Sequence, residues 1–89
     1  MTREDIFKVI KNNMVEIIES VRVEHVQSIQ ESDSMVDFGA DSLEIIEVVS
    51  RSMKQLRLRI PRPKLVKARN LGELLDLFEE VAREVATQA

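Results

Sequence analysis

The sequence predicts an all-α fold: a small four-helix bundle of three longer amphipathic helices and a short third helix, with a long first loop. Three stretches repeat apolar residues at i, i+3, i+4 and i+7, the spacing that lays one stripe along a helix. Two glycines and two prolines in 89 residues are too few for a turn-rich β chain. Cysteine is absent and all three aromatic residues are Phe. The core must therefore be aliphatic, with neither disulfide nor thiolate metal site to support it. A single domain over residues 1–89 buries roughly 60–65% of its unfolded surface, which leaves a thin stability margin.

The first helix is predicted from Arg3 to Val21. Ile6, Phe7, Ile10, Met14, Ile17, Ile18 and Val21 fall on one stripe, flanked by Val9 and Val15. Thr2 suits the N-cap, and Asp5 then places a negative charge in the first turn, where the helix dipole favours it. Arg22 to Ala40 has no sustained period. It is expected to lie over the bundle as a long connection, pegged by apolar residues among Val23, Val26, Ile29, Met35, Val36 and Phe38, with room for a short helical turn.

The second helix opens at Asp41 or Ser42. With Asp41 as N-cap, Glu44 stands three residues on and completes a capping box. Leu43, Ile45, Ile46, Val49, Met53 and Leu56 are expected on one face, and Glu44, Glu47, Arg51 and Lys54 on the other. Glu47 and Arg51 are spaced i,i+4 and can pair.

The stretch LRLRIPRPK ends this helix. Leu58 and Ile60 alternate with Arg57 and Arg59, but a lone strand would have no partner, so a strand is rejected. Pro61 and Pro63 bias the residues before them away from helix, and Pro63 can open a short helical turn through Lys67. The last helix starts after Asn70, a good N-cap, with Glu73 at the capping-box position. Leu71, Leu74, Leu75, Phe78, Val81, Ala82 and Val85 form its stripe. The tail at residues 87–89 is expected to fray.

Charge is distributed unevenly. Residues 1–50 carry a net −7, residues 51–69 a net +8 and residues 70–89 a net −4. The basic block raises the question of nucleic acid. It contains no aromatic residue for stacking, and the acidic arms repel phosphates, so no nucleic-acid partner is expected. No run approaches the ~18 apolar residues of a membrane span, and the first residues lack a signal-peptide core. A cytoplasmic monomer with no membrane partner is expected.

Conventional catalysis is hard to assemble from these residues. His25 is the single histidine and falls in the irregular connection, where a solvated side chain is the simpler reading. Without a second His or any Cys, transition-metal ligation is not expected, and no Gly-rich phosphate loop is present. Ser42, after Gly39 and at the start of a helix, is approachable but has no evident base. The free N–H groups and dipole of a helix start would stabilise a phosphate ester there. Ser42 is thus better placed to be modified than to catalyse.

The segment DFGADSLEIIEVV resembles the attachment motif of acyl carrier proteins, Asp-x-Gly-x-Asp-Ser-Leu leading into a helix. The likeness includes the long first loop, Ile60-Pro61 after the second helix and Asn70-Leu71 at the start of the last. The resemblance implies a protein that is not itself an enzyme. A phosphopantetheinyl transferase, using Mg²⁺ and coenzyme A, would couple 4′-phosphopantetheine to Ser42. The arm's thiol would carry acyl groups as thioesters for fatty-acid or polyketide biosynthesis. Asp41 and Leu43 would stand at the attachment site, and Leu43, Glu44 and Glu47 would dock partner enzymes. Ile46, Val49, Ile60 and Leu65 would shelter the acyl chain, with plain core as their alternative role.

The chain departs from the common fatty-acid-synthesis carriers in its basic block. Arg62-Pro63-Lys64 follows Ile60-Pro61 where acidic residues are usual. Surface charge sets partner choice and association rate more than affinity, so Arg51, Arg62 and Lys64 are expected to mark a dedicated partner set. RLRIPRPKLVKARNLGELLDLF resembles stand-alone polyketide carriers, including donors to enzymes similar to hydroxymethylglutaryl synthases. Acyltransferases and ketosynthases are the other implied partners. The alternatives are a helical adaptor that carries nothing, or a peptidyl carrier, whose motif usually has Gly-Gly-x-Ser instead of Gly39-Ala40-Asp41-Ser42.

Overall fold

The computed structural model describes residues 1–88, and no strand occurs among them. Helix α1 spans Arg3–Ile17, α2 Ser42–Leu56, α3 Arg62–Leu65 and α4 Leu71–Gln88. The long connection between α1 and α2 holds two 3-10 turns, Val23–Ser28 and Met35–Phe38. α1 packs mainly on α2 and also on α4, while α3 lies against α4.

Thr2 caps α1 by a reciprocal pair. Its hydroxyl accepts the Asp5 N–H and the Asp5 carboxylate accepts the Thr2 N–H, each at 3.1 Å. Those bonds hold the Asp5 carboxyl below the usual carboxylate range. α1 ends at Ile17, four residues before the expected Val21, because Ile18 turns extended (φ −84°, ψ 109°). Ile18 and Val21 are nonetheless buried. The Val21 N–H donates to the Ile18 carbonyl (3.0 Å), so a turn returns Val21 to the core and carries the apolar spacing past the helix end.

The core joins Ile6, Ile10, Met14 and Ile18 to Val48, Leu71, Leu75 and Phe78. Each fully buried aliphatic side chain contributes roughly 1.5–3 kcal/mol against the entropy of ordering the chain. In the long connection, Ile29 and Met35 are the buried pegs, while Val23 and Val36 face solvent. The loop is also tied to α4. The carbonyls of Asp33 and Glu31 accept the N–H groups of Leu71 (2.9 Å) and Gly72 (2.8 Å). They satisfy amides that a helix start leaves without partners. A Cβ on Gly72 would stand 3.3 Å from the Glu31 carbonyl oxygen, so this close approach explains a glycine in the first turn of a helix.

The buried face of α2 differs from the expected one. Val48, Val49 and Ser52 are its buried residues, whereas Leu43 and Ile46 are exposed. Val48 falls between the two faces read from the sequence, and Ser52, a polar residue, belongs to neither. Ser52 is buried because its hydroxyl accepts from buried Asn13 Nδ2 (2.8 Å), which also donates to Gln55 (2.9 Å). Buried polar atoms paired in this way avoid the desolvation penalty of an unmatched group.

α2 closes on Arg57, which adopts the left-handed conformation (φ 56°). The Leu58 N–H then reaches back to the Met53 carbonyl (3.0 Å), the six-to-one bond of a Schellman end. Leu58 and Ile60 turn inward and Arg57 and Arg59 outward, so the alternating pattern marks an extended connector. α3 begins at Arg62, one residue before Pro63, and ends at Leu65, short of Lys67. Asn70 Oδ1 accepts the Glu73 N–H (2.8 Å), as expected of a cap, but the Glu73 carboxylate takes the N–H of Arg69 (3.1 Å) instead of Asn70. α4 continues through Gln88, and the Thr87 hydroxyl donates to the Arg83 carbonyl (2.8 Å). Of the tail expected to fray, Ala89 lies outside the described residues.

Candidate functional site

The second 3-10 turn delivers the chain to the start of α2. Gly39 follows it in the left-handed conformation (φ 83°, ψ 14°), and its N–H donates to Val36 (2.9 Å). A Cβ at Gly39 would meet Ser20 Oγ at 2.9 Å. Ser20 Oγ in turn donates to the Phe38 carbonyl, so the turn is clamped on one side by the segment after α1. Only a residue without a Cβ takes this bend at low cost.

Asp41 caps α2 and Ser42 is its first residue. Asp41 Oδ1 accepts the Glu44 N–H (2.8 Å), and Glu44 Oε1 accepts the Asp41 N–H (2.9 Å). The other Glu44 oxygen lies 3.4 Å from the Glu19 N–H at the end of α1. Glu44 is therefore half-buried and engaged on both sides, and holds the start of α2 against α1. The caps are committed to backbone amides, while the Ser42 side chain faces solvent. Its hydroxyl is open to a second protein, beside the positive end of a 15-residue helix.

Leu43, the next residue, is 77% exposed. Glu47 is exposed and lies 3.8 Å from Arg51, whose stronger partner is Glu16 on α1 (3.0 Å). Lys64 sits 3.5 Å from Glu80 on α4. Of the three cations singled out from the sequence, Arg51 and Lys64 are thus matched within the chain. Arg62 is exposed and has no ion-pair partner among the described residues.

An apolar cavity of about 550 Å³ opens between α2, the Met35–Phe38 turn and the segment from Ile60 to Leu74. Ile46, Val49, Ile60 and Leu65 all stand in its wall. Ile46 is one turn beyond Ser42, so the cavity begins close to the exposed hydroxyl. The cavity edge also holds Arg69, Val36 and Val66, which sequence reasoning missed as site residues. The Asn70 cap was the nearest signal for Val66 and Arg69, because the chain must bend just before a helix start, and no local signal pointed to Val36. Among the described residues, no cluster of His, Cys, Asp and Glu could hold a metal ion, and no helix is long and apolar enough to cross a membrane.

A family model described as the phosphopantetheine attachment site matches residues 14–78, which include α2, α3 and all of the cavity wall. The chain is 30% identical over 82 residues to the polyketide biosynthesis acyl-carrier-protein AcpK of Bacillus subtilis, covering 91% of this chain and 96% of that one. It is 30% identical over 64 residues to an acyl carrier protein of Helicobacter pylori, covering 72% and 82%. A third relative, an acyl carrier protein of Saccharopolyspora erythraea, is 26% identical over 87 residues, covering 98% and 88%. An exposed serine opening a capped helix, within a matched stretch of this length, completes the assignment. The chain belongs to the acyl carrier protein family, whose members carry 4′-phosphopantetheine and act as carriers instead of enzymes.

Proposed function

We propose that Ser42 is the attachment point for 4′-phosphopantetheine and that the cavity beside it shelters the acyl chain. The carrying observation is the solvent-facing hydroxyl at the first residue of α2. The geometry fits a phosphodiester: α2 begins with amides directed outward, and its positive end offsets the phosphate charge. Asp41 and Glu44 fix that helix start, and Gly39 bends the chain so that Ser42 stands clear of the bundle. The attached arm supplies a terminal thiol on which acyl groups are held as thioesters. This chain's own residues expose the hydroxyl, offset part of the phosphate charge through the helix start and keep water from part of the cargo.

As a carrier, the protein engages a phosphopantetheinyl transferase and biosynthetic enzymes. The finer proposal is a specialised polyketide-type pathway, with the protein as donor carrier to enzymes similar to hydroxymethylglutaryl synthases. Two observations support it: the extent of the match to a polyketide carrier, and exposed Arg62 where common carriers are acidic. Acyltransferases and ketosynthases are further proposed partners, docking on Leu43 and Glu47 of α2 and on Arg62 of α3. Arg51 and Lys64 join that surface only by giving up Glu16 and Glu80.

Two measurements test this. Incubation with a broad-specificity transferase and coenzyme A is expected to add one phosphopantetheine to the peptide containing Ser42. Addition elsewhere, or none, overturns the attachment assignment. The acetyl-loaded protein is then offered to a hydroxymethylglutaryl-synthase-like enzyme and to a fatty-acid ketosynthase. Faster transfer to the first is expected, and Arg62→Glu with Lys64→Glu is expected to slow it. Equal transfer to both enzymes, unaffected by that double variant, removes the pathway proposal.

A further inference from the structure

We infer that the cavity beside Ser42 is suited to an acyl chain that ends in an anionic group, of the α,ω-dicarboxylyl class. This inference rests on the sheltering role proposed above. The chain has 16 acids and 13 lysines and arginines, yet no aspartate or glutamate lines this cavity. Two arginines do, Arg62 and Arg69, and both are exposed. Neither has an ion-pair partner among the described residues, in contrast to Arg51 and Lys64. The nearby Glu73 carboxylate accepts the Arg69 backbone N–H (3.1 Å) and does not line the cavity. Asn70 also lines the cavity, and its Oδ1 is committed to the Glu73 N–H. Its side-chain amide N–H groups are therefore a third source of donors at the same edge.

These placements separate two kinds of surface. Val49, Met53 and Leu74 offer a methylene chain an apolar wall, where burial is favourable in proportion to area. Arg62 is the first residue of α3 and Arg69 stands between α3 and α4, and both line the same cavity as the α2 residues. A chain held on the thiol of an arm attached at Ser42 reaches the cavity past Ile45 and Ile46, which line it one turn along the helix. A terminal carboxylate carried to the edge meets two guanidinium groups that are still hydrated, so it forms charge-assisted hydrogen bonds without full desolvation. A methyl terminus of the same length gains the apolar wall but leaves both guanidiniums to water. The cavity therefore favours the dicarboxylyl chain through its edge alone.

The test loads the apo-protein from the coenzyme A thioesters of octanedioic and octanoic acid and follows thioester cleavage by hydroxylamine at low salt. Each rate is normalised to the matching thioester of free pantetheine. The octanedioyl form is expected to be cleaved roughly three- to tenfold more slowly than the octanoyl form, the scale of two partly exposed charge pairs. Arg62→Gln with Arg69→Gln is expected to bring the two rates together by speeding cleavage of the octanedioyl form. Arg59→Gln, which removes a cation outside the cavity, is expected to preserve the difference. Equal protection of the two cargoes in the wild type overturns the inference, as does a difference that survives the double variant. Failure to load at all would instead remove Ser42 as the attachment point, and an octanoyl chain no better protected than acetyl would remove the sheltering role.

Discussion

The two faces of this bundle treat their charges in opposite ways. On the face where α1, the long connection and α4 meet, Arg3 bonds Glu31 (2.6 Å), Asp76 (2.8 Å), Glu79 and the Gly72 carbonyl (3.0 Å). The guanidinium is held firmly protonated, and it keeps the Glu31 carboxyl below the usual carboxylate range. On the α2–α3 face, Arg62 and Arg69 lack ion-pair partners among the described residues, and Leu43, Ile46 and Val66 stand 77%, 48% and 76% exposed. The first face joins three segments distant in sequence. The second leaves apolar and charged groups unmatched around a cavity and a free hydroxyl. The ion-pair cluster around Arg3 thus lies away from the proposed docking surface, so a change of charge on that surface leaves the cluster intact.

The largest expected effect separates the two faces completely. Ser42→Ala is expected to abolish phosphopantetheine addition, read by intact mass. Because Ser42 is exposed, its unfolding free energy should stay within about 0.5 kcal/mol of wild type. A large loss of stability in this variant would mean that the serine is structural.

Gly39→Ala is expected to break the separation, because Gly39 belongs to both the fold and the approach to Ser42. A left-handed alanine costs roughly 1–2 kcal/mol, and displacing Ser20 from its bond to Phe38 adds about 1 kcal/mol. Chemical denaturation should show a loss of about 2–3 kcal/mol, with slower modification of Ser42 by the transferase. Unchanged modification kinetics would show that the turn sets stability alone.

Arg3→Ala should produce the converse of Ser42→Ala: weakened folding and unchanged modification. The pairs are partly exposed, with side-chain exposure of 31% for Arg3 and 46% for Glu31, so the loss is set at about 1–2 kcal/mol for the whole cluster. Its pH dependence has a definite sign. Glu31 has a depressed folded pKa, so its contribution is present above the ordinary glutamate value and is lost as pH falls through the folded value. The stability gap between wild type and Arg3→Ala should therefore narrow on acidification. A gap that is constant with pH would assign the effect to packing of the Arg3 stem.

These faces were not equally legible from the residues. Helix caps are local devices, and Thr2, Asp41 and Asn70 announced their helices because each capping bond spans only three residues. The apolar stripes of α1 and α4 were legible for the same reason. The Arg3 cluster was not, since it joins Arg3 to residues up to 76 positions away and nothing in local spacing connects them. The Asn13–Ser52 pair escaped for a related reason: two polar residues read as surface until each is known to satisfy the other. At the site, the motif and its helix start singled out Ser42, and the resemblance to acyl carrier proteins pointed to four residues of the cavity wall, while Arg69 required knowledge of which segments meet around the cavity. The end of α1 was misplaced because a turn can extend helical spacing without being helix.

The smallest expected effect concerns the end of α2 away from Ser42. Arg57 is the one non-glycine residue with positive φ among the described residues (φ 56°). Its N–H donates to Lys54 (3.3 Å), and the following Leu58 N–H closes on Met53. These bonds use backbone alone, and the Arg57 side chain is exposed, so a glycine keeps all of them. Arg57→Gly removes the left-handed penalty of roughly 1–2 kcal/mol and restores part of it as unfolded-state entropy, about 0.5–1 kcal/mol. A net gain of about 0.5–1 kcal/mol is expected, read as a melting temperature higher by about 2–8 °C for a domain of this size. Modification of Ser42 should not change, because the cap lies at the opposite end of α2. A lower melting temperature would show that the Arg57 side chain stabilises the bundle, and would move this cation from the unmatched face to the matched one.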